Sequence, residues 1–455
     1  MLCFATTTNL AADEITYDDH INSLINVLNK PWFSRAWIVQ ESALSVLPVI
    51  LLSSEEVDFR LLHCLVVVVA TVEAEIIGPS TMRSSKVLRS RGAQTLHHVE
   101  TCRQETTSPR QNPLKFLNIL RRLAFSMDAT DARDQVYAFL AFQVPHRDQI
   151  VPDYSLNTSV TYTTISASIA RSTESLSILG LVRGTLYPGL LPTWAIDWRL
   201  NKSTQGVPFD GDSRFLFNAC KGYRYRPLED SLQLPNGLKR SYSIVTGTSD
   251  RFELFKVLSV RGKVIGRVTV VSTVIHEAQQ QAPDGWKLEQ VIESLISGSR
   301  SQAIFNLPPS SHSDLIRRVL AVLIAEDVRS SVSANRENEF EKMLQAYHNY
   351  QRVTQNTAIS GESSYLGKLA RILARKTYIC VGKRVFCSGD NLMGLGPQHI
   401  RELDIVCILH GSKVPCILRK HDHGWKVIGQ CFYEGWMHGE LVDWKEEEGD
   451  AFDLV

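Results

Sequence analysis

Two clusters of residue types in this chain could do chemistry. The first is residues 31–41, Pro-Trp-Phe-Ser-Arg-Ala-Trp-Ile-Val-Gln-Glu, which holds Trp32, Arg35, Trp37, Gln40 and Glu41. Trp37 and Glu41 are four positions apart, so on a helix they share one face. An aromatic wall beside a carboxylate can serve as a ligand surface. In the plainer reading Trp32, Phe33 and Trp37 are core, Arg35 pairs with an acid and Glu41 is solvated. The second cluster is Asp131-Ala132-Arg133-Asp134-Gln135-Val136-Tyr137, followed by Pro152-Asp153-Tyr154-Ser155. Asp131, Arg133 and Asp134 could form a catalytic constellation, or a capping and salt-bridge cluster that fixes two helices against each other.

The bulk of the chain narrows the classes of function. It has 455 residues, enough for two or three domains, with 44% hydrophobic and 21% charged residues, an ordinary globular composition. A net charge of +1 implies no strong pull toward nucleic acid or acidic lipid. The nine cysteines include no C-x-x-C pair, which argues against a zinc ribbon or thioredoxin-type site and favours reduced thiols in the cytoplasm. No apolar run approaches the ~20 residues of a transmembrane helix, and no signal peptide is recognisable. The expectation is a soluble, cytoplasmic protein without a metal site. His97-His98 are read as solvated loop residues; His421 and His423 flank a turn and could bind metal with His410 and Cys416, but these two loop histidines are read as solvated.

The elements that must position the two clusters follow from periodicity. Residues 15–30 read as a helix, with Ile21, Leu24, Ile25 and Leu28 as one stripe and Asp18 and Asp19 at its start. Residues 47–52 are a candidate buried strand, 58–72 a helix despite four consecutive valines, and 80–113 a mobile surface loop. Residues 114–125 form an amphipathic helix, and 158–172 another. The two tryptophans of 191–198 look like an aromatic strap. A strand is expected at 215–220 and a longer one at 256–272, with turns or bulges at Gly262 and Gly266. Helices are expected at 286–296 and 312–350.

From 376 onward the chain reads as a β module with strands at 376–386, 391–396 and 425–432. A hairpin around Gly411-Ser412, with a type II′ loop, would set Cys407 opposite Cys416 as two packed thiols. The acidic tail, 446–453, is expected to be flexible.

Residues 31–41 resemble the signature of the fungal heterokaryon-incompatibility (HET) domain. Residues 131–138, 152–155, 191–194 with Asp197-Trp198, 393–397 and 404–440 resemble further family motifs in the same order. The family's usual proline is Ala132 here. The resemblance covers roughly residues 20–440 and implies a fungal self/non-self recognition protein that signals programmed cell death. It implies protein partners, or self-association through the N-terminal lobe, and no cofactor.

HET domains are thought to be distant relatives of TIR domains, which have a flavodoxin-like α/β fold and in some cases cleave NAD. By that analogy Glu41, four residues after Trp37, would be the catalytic carboxylate of an NAD glycohydrolase. It would stabilise an oxocarbenium-like ribose. The family's first half carries a Ser-Tyr-x-Trp-Gly strand and an Asp-x-x-Cys-Ile-x-Gln segment, and neither occurs here. A third reading is therefore an inactive truncated paralogue, or a coding sequence whose start lies further upstream.

The expected fold is α/β plus α+β. Residues 1–145 would be a partial HET domain with an incomplete TIR-like α/β layer and exposed apolar surface. Residues 146–200 would be a helical linker with the tryptophan strap. Residues 201–455 would be an α+β lobe with a small antiparallel β-barrel-like module, its strands near 213–272 and 376–440.

Overall fold

The structure is a computed structural model that describes residues 16–52, 54–77, 85–107, 114–143, 150–182, 191–200, 209, 217–226, 257–275, 311–323, 325, 377–389, 392–422, 424–440 and 449–455. The chain divides into two units, Met1–Thr158 with Trp198–Asn201 and Ser159–Asp197 with Lys202–Val455.

The first unit begins with α1 (Tyr17–Leu28). Thr16 caps it: its hydroxyl accepts from the Asp19 N–H, and the Asp19 carboxylate accepts from the Thr16 N–H at 3.0 Å. Ile21, Leu24 and Leu28 are buried as the stripe requires. A 3-10 turn (Pro31–Ser34) and α2 (Trp37–Leu44) carry the first cluster. Next come β1 (Val49–Leu52), β2 (Glu55–Asp58), α3 (Phe59–Ile77), α4 (Arg91–Thr107), α5 (Lys115–Leu123) and the short α6 (Asp134–Tyr137).

α4 is the hub of this unit and corrects the expected loop at 80–113. It packs on α1, the 3-10 turn, α2, α3 and α5. Its sequence reads as polar because Arg91, Gln94, His97 and Gln104 lie on an exposed side, while the buried side uses small residues and satisfied polar ones. Ala93, Leu96, Val99 and Cys102 are buried, and the Thr95 hydroxyl donates to the Phe33 carbonyl at 2.8 Å. Arg103 donates to the Ser42 and Ser45 carbonyls at 2.9 and 2.7 Å, satisfying the end of α2. Gly92 lets α4 meet the end of α1, since a Cβ there would lie 2.8 Å from the Leu28 Cα.

Two more expectations change here. β1 is not a buried strand: it pairs antiparallel with β2 in a two-stranded sheet, and Val49 and Leu51 are exposed because only one face has cover. Among the described residues of this unit the remaining pairing is one parallel bridge, Arg35 to Asp128. Over its described residues the unit is thus helices around α4 with a hairpin, and the expected parallel α/β layer is not seen among them.

The second unit contains α7 (Thr158–Thr173), β3 (Leu258–Val271), α8 (Ser311–Leu323) and seven further strands. These are β4 (Lys383–Ser388), β5 (Met393–Pro397), β6 (Ile405–Leu409), β7 (Cys416–His421), β8 (Gly424–Gln430), β9 (Phe432–Tyr433) and β10 (Asp450–Leu454). The sheet runs β10-β8-β7-β6-β3-β4-β5-β9, and β10 also pairs with β3. β3, β6, β7, β8 and β10 therefore close into a five-stranded ring, while β4, β5 and β9 branch from the far half of β3.

Register explains the packing. Val260 lies opposite Phe452, Gly262 opposite Leu409, Val264 opposite Cys407 and Ile405 opposite Leu418. A Cβ at Gly262 would meet the Leu409 side chain at 2.7 Å and the Phe452 ring at 3.2 Å, so the absent side chain makes room for both. The β3–β6 ladder shifts register between Val264 and Gly266, and the space over Gly266 is taken by the Tyr433 hydroxyl, which donates to Ser388 at 2.7 Å. On the other face Val406, Ile408, Ile417, Phe386 and Tyr433 form one core. Val319, Val322 and Leu323 of α8 form another with Val385, Leu395 and Phe432.

Cys407 does stand opposite Cys416, both as buried free thiols. The turn itself differs from type II′. Ser412 N–H bonds the Leu409 carbonyl at 3.0 Å, so Gly411, at φ +84°, takes the third position, where a type II turn needs positive φ. The expected strand at 215–220 is a turn over its described part, 217–220. The expected helix at 286–296 and the rest of 312–350 beyond α8 lie outside the described residues, apart from Ala325.

The acidic tail is the clearest correction. Residues 450–454 are β10, with Phe452 and Leu454 buried on alternate positions while Asp450 is exposed. Thr193 of the tryptophan-strap segment secures this end. Its N–H donates to the Val455 carbonyl at 2.9 Å, its hydroxyl bonds the same oxygen, and that hydroxyl accepts from the Val427 N–H at 2.8 Å. Thr193→Ala should cost the second unit about 1–3 kcal/mol by leaving a buried N–H unsatisfied. Thr193→Ser should keep most of that stability, with chemical denaturation midpoints of both variants as the check.

Candidate functional site

The first unit brings the second cluster together around Arg133. Its guanidinium forks the Asp131 carboxylate at 2.9 and 2.6 Å and donates through Nη1 to the carbonyls of Tyr154 and Leu156, both at 2.7 Å. It also lies 5.0 Å from the centre of the Tyr154 ring. The Tyr154 hydroxyl donates to Asp134 at 2.6 Å. Tyr137 meets the Tyr154 ring edge to face, and its hydroxyl donates to the Asp153 carbonyl and accepts from the Asp153 N–H, each at 3.2 Å. Asp153 in turn accepts from the Ser155 N–H and hydroxyl at 2.8 and 2.6 Å.

The local conformation follows from the residue types. The Asp131 carboxylate accepts from the Arg133 N–H at 2.9 Å, an Asx turn that sets up α6 in the way a cap would. Asp153 does the same for Ser155. Two Asx turns thus face each other, and Arg133, Tyr137 and Tyr154 tie them. The cluster is a clasp between residues 131–137 and residues 153–156.

Its electrostatics suit holding rather than proton transfer. Hydrogen bonds from Arg133 hold the Asp131 carboxyl below the usual carboxylate range, and those from Ser155 do so for Asp153. Asp131 also raises Arg133. Burial, and then the hydrogen bond to Asp134, push Tyr154 up to about 12. None of these shifted groups changes charge near neutral pH.

The first cluster is placed differently. Phe33, Ala36, Ile38 and Val39 are core, Trp32 and Trp37 are half-buried, and Arg35 and Glu41 are exposed. Trp37 and Glu41 do lie one turn apart on α2. Trp32 packs edge to face on Phe33 with ring centres 5.0 Å apart. The Gln40 side-chain oxygen accepts from the Ala141 N–H at 3.2 Å. The turn at Ser34–Ala36 is fixed by Asp128, whose N–H donates to the Ser34 carbonyl at 2.6 Å and whose carbonyl accepts from Ala36 at 2.9 Å. Arg91 forks the Asp128 carboxylate with two bonds of 2.8 Å.

Sequence reasoning missed Asp128, Arg91 and Arg103, which seat this motif, because each acts across the fold rather than within it. His63 and His97 likewise meet across the fold, their rings stacked with centres 6.2 Å apart between α3 and α4. Burial, followed by the neighbouring His97, holds His63 below the ordinary histidine range.

A five-stranded closed ring with a branching sheet is the architecture of the second unit, and a family described as the Het-6 beta-barrel domain matches residues 315–455. The matched part supplies β4 to β10, and β3 precedes it. The Neurospora crassa heterokaryon incompatibility protein 6, OR allele, is 32% identical over 71 residues, 15% of this chain and 10% of that protein. The chain thus aligns with about a tenth of that relative's length. No solved structure matches the chain. Residues 315–455 thus match the Het-6 β-barrel family, and a short stretch of the chain is similar to a fungal heterokaryon incompatibility protein.

Tyr154 offers a direct check on the clasp. Because its folded pKa is raised, the clasp's contribution is complete below the unfolded value of 10.0 and is lost as pH climbs through about 12. Ultraviolet titration should find this tyrosine ionising near 12, and Asp134→Asn should bring it down toward 10.

Proposed function

We propose that this protein acts in heterokaryon incompatibility as a self/non-self recognition and cell-death signalling protein, and that it does so through protein contact. The relation to heterokaryon incompatibility proteins supports the process. The surface of the first unit supports the mode of action, and one observation carries it. α3 is apolar on two sides. Phe59, Leu62, Val66 and Ala70 are buried, while Leu61, Val68 and Val72 are 37–58% exposed on the opposite side and Val67, also exposed, lies at the flank. A helix with one partner presents polar residues outward, so a second apolar row marks a contact surface. The β1 hairpin adds Leu47 and Leu51, exposed at 72% and 70%. No described helix is long and apolar enough to cross a membrane, so a spanning segment does not explain the row.

Val68→Asp tests this. The side chain is 58% exposed, so circular dichroism and thermal melting should be unchanged. Expressed in a fungal host, the wild-type protein should support the cell-death reaction and Val68→Asp should not. Full activity of a folded Val68→Asp protein would overturn the proposed surface.

The competing reading is NAD cleavage with Glu41 as the catalytic carboxylate, and Trp37 and Glu41 sharing a face of α2 is what supports it. Against it, Glu41 is exposed, where water weakens its hold on a developing cation. Purified protein should leave NAD intact over hours. NAD loss that disappears in Glu41→Gln would establish the enzyme instead.

A further inference from the structure

We propose that α3 of the first unit packs against α3 of a second copy of this chain, antiparallel and about a two-fold axis, so that the protein is a homodimer. The proposal rests on the reading of α3 as a contact surface and names the partner.

The spacing of the outward row carries it. Leu61, Leu65, Val68 and Val72 follow one another at intervals of four, three and four. That is the spacing of a coiled-coil seam, in which each side chain enters a hole between side chains of the facing helix. Leu61, Val68 and Val72 are 53%, 58% and 37% exposed, and Leu65 is half-buried. A row that meets only water has no reason to keep this interval in apolar residues.

The order of residue sizes selects a second copy and its direction. With the two-fold axis between Leu65 and Val68, Leu61 faces Val72 of the second copy and Leu65 faces its Val68. Every layer then holds one leucine and one valine, so the layers have equal volume. Parallel pairing would set leucine on leucine and valine on valine, leaving alternately crowded and loose layers. Antiparallel packing also opposes the two helix dipoles.

Charge points the same way. From Leu61 to Val72 the helix carries no Asp, Glu, Lys or Arg. The positions flanking the seam are Cys64 and Thr71 on one side and Leu62 and Val69 on the other. Partners of different sequence are selected by charges at such flanks, and here there are none to read. An isologous contact needs a surface that tolerates its own copy, and an uncharged row meets that condition.

The hairpin enlarges the contact. The Phe59 N–H donates to the Pro48 carbonyl at 3.0 Å, so the exposed Leu47 lies beside the start of α3. Val46, Leu47, Val49 and Leu51 are 46–82% exposed. With the helix row they offer on the order of 500 Å² of apolar surface per copy, and two copies together reach the roughly 1,000 Å² of a specific interface.

Sedimentation equilibrium of the purified full chain should give twice the chain mass of 51.2 kDa at micromolar concentration. Val68→Glu should weaken association about a hundredfold, because each dimer would hold two carboxylates against leucines. The variant should stay folded by circular dichroism, since the side chain is 58% exposed. Leu65→Lys should weaken association as well. An equimolar mixture of the two variants should restore dimers with one copy of each, because the introduced carboxylate and ammonium face each other in the antiparallel register. Leu65 is half-buried, so if its variant does not fold a cross-link decides the register. Cys64, an exposed free thiol, flanks its counterpart on the same side of the antiparallel seam. A bis-maleimide should therefore join two wild-type chains and fail with Cys64→Ser. A wild-type chain that stays monomeric at about 100 μM, a dimer unmoved by Val68→Glu, or no heterodimer from two folded variants would each overturn the proposal. A monomer whose Val68→Asp variant still loses the cell-death reaction would overturn the homodimer and leave the contact surface standing with another kind of partner, so the two readings fail separately.

Discussion

Closure of the five-stranded ring is the constraint on which the second unit depends. An open sheet leaves a row of unpaired N–H and carbonyl groups at each edge, and those edges invite pairing with other chains. Here β10 lies between β3 and β8, antiparallel to the first and joined to the second by a parallel bridge at Leu454 and Trp425. β3 has to serve two sheets at once, pairing with β10 and β6 along one half and with β4 along the other. Its two register shifts, between Val264 and Gly266 and between Val268 and Val270, are where it bends from one duty to the other.

The same logic gives the tryptophan-strap segment a role. Its aromatic residues draw the eye, and Trp194 is indeed buried. Thr193 beside it is what fastens the strand ends, because one hydroxyl can accept from β8 while donating to the last carbonyl of the chain. A signature motif can be held in place by its least conspicuous member.

The first unit uses its signature residues in a comparable way. The residues that most resemble a catalytic constellation, Asp131, Arg133 and Asp134, satisfy one another and the backbone around them. Charges that are fully engaged give rigidity, and the shifted groups among them stay out of the neutral pH range. The unit is thus well tied inside while α3 turns a second apolar row outward. A stiff support under an exposed apolar surface suits recognition by contact, since little order is lost when a partner docks.

Local patterns in the sequence determined α1, α3, α5, α7 and β3, because each carries a regular apolar period or a cap that owes nothing to distant residues. They also determined the pairing of Cys407 with Cys416, since a hairpin's register is counted from its own turn. Tertiary structure alone decided the rest. α4 looks like a loop until five neighbouring elements pack on it and bury Ala93, Thr95, Leu96, Val99 and Cys102, leaving its polar side exposed. The acidic tail looks flexible until β3 and β8 supply partners for its backbone, and only then do Phe452 and Leu454 have an interior to face. The clasp around Arg133 joins residues up to twenty-three positions apart. Spacing along a chain says little about such meetings, because their geometry is set by the packing of whole elements.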